Sequence, residues 1–291
     1  MLFLVLILYV VGFEGIISAF KGIKIGWFAI AFALMPLFLF FKVAKWQRLA
    51  GEEIKGLTFF RALSSFLAGW GVALLTPARI GELARVLYFD SGNKVRLASF
   101  VLFDKLFDFV CLIILSLFGL IFFFGIKQSI IYIFLGMLIV FVLFQQSFII
   151  SATKRIVYLF SAKHKFKEVL EHWHPIPNKT MGVCFAYSML AFIITLTQCF
   201  LLINSFEQVS FAVVFLVFPI VIISNILPFT IGGLGVREGV AAVLLSFFGV
   251  SKSAAVSSSF LLFFINTLTP GIIGALFVSK LKLKNLFKKQ D

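Results

Sequence analysis

The chain is built from apolar runs of about 18 to 25 residues that recur from end to end, each long enough to cross a hydrocarbon core of about 30 Å. At that depth there is no water, so every backbone N–H and C=O must be satisfied within the protein. That leaves α-helices or a closed β-barrel. Barrel strands read as short alternating segments, whereas these runs are continuous. Of the 291 residues, 62% are apolar, 13% are charged and 41 are Phe, too little charge to cover a water-soluble domain. The expected fold is an all-α integral membrane protein, a polytopic helical bundle.

Spans are expected at 2–20, 26–41, 57–76, 78–90, 97–124, 130–150, 181–203, 210–227, 236–249 and 254–279. The segments 78–90 and 236–249 are too short to cross comfortably, and each is joined to a longer span through a Pro- or Gly-rich break. Residues 57–90 and 210–249 therefore read as two broken-helix hairpins that return to the side they came from, as re-entrant loops or paired crossings. The first run carries Glu14 and lacks a basic leader or a small-residue cleavage site, so a retained helix is expected rather than a signal peptide.

A net charge of +14 suggests nucleic acid only until its placement is considered. If the segment after residue 41 is cytoplasmic, that side (with 91–96, the basic loop 151–180 and the tail after 279) holds 18 of the 26 Lys and Arg residues. The other side holds only Lys21, Lys24, Lys127 and Lys252. This bias predicts a cell inner-membrane protein with a cytoplasmic C-terminus and excludes a nucleic-acid binder. It also makes the two hairpins enter from opposite faces, the mark of an inverted pseudo-repeat with a site near the midplane. No P-loop sequence is present, so ATP hydrolysis by that route is excluded.

The first break reads Thr76-Pro77-Ala78-Arg79-Ile80-Gly81-Glu82-Leu83-Ala84-Arg85. Pro77 stops the preceding helix, and a new one is expected with Thr76 as N-cap and Pro77 at its first position. Its free N–H groups suit an anion, and Arg79, Glu82 and Arg85 form a charged stripe. The second break, Pro228-Phe-Thr-Ile-Gly232-Gly233-Leu-Gly235-Val-Arg237-Glu238, gathers three glycines before another short helix. On span 97–124, Asp104 and Asp108 share a helix face, and Lys105 is expected to reach Asp108.

Glu14, Glu82, Asp104, Asp108 and Glu238 thus face Arg79, Arg85, Lys105 and Arg237 at membrane depth. Unpaired, nine such charges cost on the order of 27 kcal/mol at about 3 kcal/mol each, so most must pair or line a wet cavity. The same pairs also fit a purely structural reading in which they only fix helix register. Cys111, Cys184 and Cys199 read as small apolar packing residues. His172 and His174 lack further ligands nearby, so neither a metal nor any other cofactor is expected. Thr267, Thr269 and Pro270-Gly271 mark a kink, and the Lys-rich tail suits anionic lipid.

On the two breaks and the Asp104-Lys-Leu-Phe-Asp108 segment, the chain resembles the lysylphosphatidylglycerol synthase transmembrane family, the flippase-like domain of the multiple peptide resistance factor. Lys105 stands where that family often has Arg. The resemblance implies movement of lipid between leaflets. In the fused members, aminoacyl transfer belongs to a soluble domain that this sequence does not contain, so no enzyme activity is carried over.

The expected function is a lipid flippase or transporter for an anionic or phosphate-bearing (phospho- or polyprenyl) lipid. Thr76, Arg79, Gly81, Glu82, Arg85, Gly232, Gly233, Gly235, Arg237 and Glu238 line the substrate site, and Glu14, Asp104, Lys105 and Asp108 support it. The partner is a membrane lipid; a protein partner would be a second copy of the chain or a lipid-modifying enzyme. Three alternatives stay open: an intramembrane transferase using Asp104, Asp108 or Glu238 as base, an ion- or proton-coupled transporter of a small anion, and a subunit of a lipid glycosylation system.

Overall fold

A computed structural model of the chain describes residues 22–144, 175–224 and 235–278. Glu14, Pro228, Gly232, Gly233, residues 151–174 of the basic loop and the Lys-rich tail lie outside these residues. The described residues contain helices and no strand. They run as α1 (Ile25–Gly51), α2 (Phe59–Ala73), a 3₁₀ segment (Pro77–Tyr88), α3 (Lys94–Phe144), α4 (Asn178–Asn204), α5 (Phe211–Ile223), α6 (Val236–Ser246) and α7 (Lys252–Val278).

Among the described residues, four stretches are long and apolar enough to cross a membrane: Ile25–Gly51, Arg96–Leu138, Asn178–Asn204 and Lys252–Val278. In α3, Gly125 leaves helical geometry at φ 75° and ψ 170°. A Cβ at Gly136 would sit 2.8 Å from Ile113, so the chain doubles back on itself there, where the sequence suggests a turn between two spans. The 15 residues of α2 rise only about 22 Å and the 13 of α5 about 20 Å, short of a full crossing.

The order long helix, short helix, break, short segment, long helix occurs twice: α1, α2, 77–88, α3 and then α4, α5, α6, α7. The two leading helices, α1 and α4, pack antiparallel: Glu52, just past the end of α1, meets Thr180; Lys45 meets Ser188; and the Ala31 carbonyl meets Gln198. Equivalent helices running in opposite directions make the halves inverted, so their hairpins start from opposite ends of the bundle. Each half also lends its short helix to the other's long one. α2 packs on the end of α7, where a Cβ at Gly71 would lie 2.8 Å from the backbone of Gly274. α5 packs on α3, where Gly119 meets the Leu216 carbonyl. Glycine at these crossings allows backbones to touch, as in other membrane helix pairs.

The kink expected near Thr267 is a π turn, Phe264–Leu268, directly before Pro270. The Pro270 ring has no N–H to give the preceding turn, and the Phe264 carbonyl just before it accepts both the Thr269 backbone N–H and, at 2.8 Å, the Thr269 hydroxyl.

Candidate functional site at the two helix breaks

The first break departs from the expected α-helical N-terminus. Thr76 caps no first-turn N–H; its hydroxyl accepts from Gly81 N at 2.8 Å and donates to the Ala73 carbonyl. The segment is a 3₁₀ coil folded back on α2. Gly69 and Gly81 make this approach possible, since a Cβ at Gly81 would lie 2.6 Å from the Val72 carbonyl carbon. Arg79 adopts the left-handed conformation (φ 56°), uncommon for any residue with a Cβ.

The charged stripe therefore divides between two clusters. In the outer one, Glu82 is buried and faces Arg79 Nε at 3.1 Å and Lys105 Nζ at 2.5 Å, with the Arg79 guanidinium 4.9 Å from the centre of the Trp70 ring. Lys105 thus reaches across to the 3₁₀ segment rather than along its own helix to Asp108. In the inner cluster, Asp104 Oδ2 receives Arg85 at 2.8 Å and Asp104 Oδ1 faces Lys45 at 2.8 Å. Asp108 receives Lys42 and Lys45, each at 2.6 Å, and Ser188 donates to it at 2.9 Å. Arg85 lies 4.0 Å from the centre of the Trp46 ring, wholly enclosed, which makes it a strut of the inner cluster rather than a residue lining an open site.

Lys42 and Lys45 correct the sequence reading, which assigns them to the cytoplasmic loop after residue 41. The apolar run ends there, but the helix continues to Gly51 and buries Val43, Trp46, Leu49 and Ala50 on one face. That period, continuing through the lysines, is the signal that places them. Moving both inside leaves 16 Lys and Arg against four in the loop count.

At the second break, Gly235 takes φ 90° and donates its N–H to Glu238 Oε2 at 2.7 Å. Arg237 pairs with Glu238 and donates Nε to Ser259 at 2.9 Å, with Phe263 beside it. Behind them, Gln198 and Asn266 exchange amide hydrogen bonds of 3.2 and 2.6 Å beside the π turn. Neither amide was legible as part of a site, because isolated polar residues in apolar runs carry no spacing signal.

Several buried donors around the first break have no acceptor among the described residues: Trp70 Nε1, Arg79 Nη2, and Arg85 Nε and Nη1. A buried donor left unmade costs about 1–3 kcal/mol. Arg79 keeps 31% of its side chain exposed and Lys105 44%, so this is the accessible end of the network. A family described as the lysylphosphatidylglycerol synthase TM region matches residues 1–274. The chain belongs to this family. No curated protein matches the sequence. Family membership makes this a membrane domain linked to lipid modification or flipping, consistent with four spans and charges that pair inside the bundle.

Proposed function

We propose that the chain is a lipid flippase, moving a phosphate-bearing phospho- or polyprenyl lipid between leaflets with its headgroup in the charged interior and its acyl chains in the bilayer. The observation that carries this reading is the set of unpartnered donors at the first break. Trp70 Nε1 and Arg79 Nη2 are buried N–H groups beside a partly accessible guanidinium. Phosphate oxygens are natural acceptors for such donors, and arginine suits them through its planar fork.

In this reading Glu82 and Glu238 hold Arg79 and Arg237 in place. The Gly71–Gly274 and Gly119–Leu216 crossings are where the two halves slide as the site changes sides. The Lys and Arg asymmetry supports an inner-membrane location with a cytoplasmic C-terminus. Transport is favoured over transfer chemistry because the candidate bases are all engaged: Asp104 and Asp108 by two cations each, and Glu238 by Arg237 and the Gly235 N–H.

The test is transbilayer movement of a labelled phospholipid in proteoliposomes. Arg79→Gln should abolish it and Trp70→Phe should slow it, while both variants elute and melt as folded protein. Unchanged movement in both variants would overturn the assignment of the site.

A further inference from the structure

The charges at membrane depth do not balance. Six cations, Lys42, Lys45, Arg79, Arg85, Lys105 and Arg237, face Glu82, Asp104, Asp108 and Glu238 among the described residues. Glu14 is the one further acid in an apolar run, and setting it against them still leaves a cation over.

Among the described residues the surplus is two, one charge in each cluster of the first half. Arg237 and Glu238 cancel. Lys42, Lys45 and Arg85 share Asp104 and Asp108 in a cluster closed to solvent around Lys45 and Arg85. At the first break, Glu82 alone serves both Arg79 and Lys105, and these two are the most exposed cations of the network. Among the described residues the reachable end of the site therefore carries one positive charge in excess, next to donors without acceptors.

We propose that this break selects its lipid by net headgroup charge, taking a phosphate with no compensating amine and disfavouring headgroups whose ammonium groups cancel or outnumber it. The proposal rests on the lipid-transport reading above and makes Lys105 its specificity residue. A monoanionic phosphodiester brings the break to neutrality with Glu82 still ionised. A zwitterionic headgroup leaves the surplus as it was. A lysyl ester of phosphatidylglycerol carries two ammonium groups against one phosphate charge and raises the surplus from one to two. Uncompensated charge at this depth is strongly penalised, so the sign of the headgroup decides entry.

Proteoliposomes containing the full chain and labelled phosphatidylglycerol, phosphatidylethanolamine or lysyl-phosphatidylglycerol test this directly, with soluble glycerol phosphate as a fourth substrate. The expected result is phosphatidylglycerol moved at least about tenfold faster than either amine-bearing lipid, the ratio that a differential of about 1.4 kcal/mol produces. Lys105→Gln, which neutralises the break, should bring that ratio towards one, and Lys105→Arg should keep it. Equal rates for the three lipids, or the lysyl ester moving fastest, overturns charge selection and leaves transport standing. So does an unchanged ratio in Lys105→Gln. Uptake of glycerol phosphate without lipid movement, or no movement of any substrate, overturns the transport reading itself.

Discussion

Asp104→Asn tests whether the buried charges act as one unit. Asp104 holds Lys45 and Arg85 on its two oxygens, each at 2.8 Å. The amide keeps the shape and removes the charge. Lys45 then retains Asp108 at 2.6 Å, whereas Arg85 is left with the ring faces of Trp46 and Phe66 and no carboxylate in contact. Removing one partner of a buried pair costs about 3–5 kcal/mol, because the remaining charge is uncompensated. At roughly 2–4 °C per kcal/mol, the apparent melting temperature in detergent should fall by roughly 6–20 °C. Adding Arg85→Met removes the stranded charge, so the double variant should lose about 2 kcal/mol less than the sum of the singles. Independent sites would add to within about 0.5 kcal/mol. Tryptophan fluorescence is a suitable probe, since Trp46 lies directly against Arg85. Additive losses, or an Asp104→Asn protein that melts with the wild type, would refute the idea of a coupled buried network.

Arg79→Gly should relieve left-handed strain of roughly 1–2 kcal/mol and raise the melting temperature while abolishing lipid movement; a lower melting temperature would count against the strain argument. Gly274→Ala should destabilise strongly because its Cβ would meet the Leu67 carbonyl, whereas Gly239→Ala, with open space around it, should be neutral or gain about 0.5–1 kcal/mol. Equal melting of the two alanine variants would remove the close α2–α7 crossing. Gln198→Leu and Asn266→Leu should each cost about 1–3 kcal/mol by orphaning the facing amide, and the double variant should melt nearer the wild type than either single.

Much of this fold is legible because the bilayer leaves few alternatives: apolar runs become helices, and the Lys and Arg bias places the hairpins in opposite senses. Legibility ends where a charge has a partner far away in sequence. Lys42 and Lys45 look like the end of a span because a hydropathy reading stops at the first ammonium group. What lets them lie inside is Asp104 and Asp108, some sixty residues on. Lys105 fails in the opposite direction. Its spacing to Asp108 is right for an intrahelical pair, but Asp108 is already held by two lysines, and Glu82 of the facing segment takes Lys105 instead. Local spacing proposes pairs, and competition among cations for a few buried carboxylates decides which of them form.

The two breaks show the same limit at the level of backbone. In sequence they share Pro, Gly, Arg and Glu with Arg and Gly in different order, which makes the internal repeat look weak. The structure supplies a register. Arg79 and Gly235 are the left-handed residues, each three positions before its acid, Glu82 or Glu238. Arg79-Ile80-Gly81-Glu82 thus aligns with Gly235-Val236-Arg237-Glu238, with Arg and Gly exchanged. In the second half the glycine takes the positive φ at little cost, and Arg237 sits on a regular helix, enclosed by Glu238 and Ser259. In the first half Gly81 is needed for contact with α2, so the arginine carries the strain. The unfavourable position keeps its guanidinium partly accessible and one of its nitrogens without a partner. An inverted repeat that was symmetric in residues would place two equivalent arginines; this exchange gives one buried arginine and one partly accessible one. In the transport reading proposed above, Arg79 is the residue that contacts the substrate and Arg237 the one that holds the second break in shape.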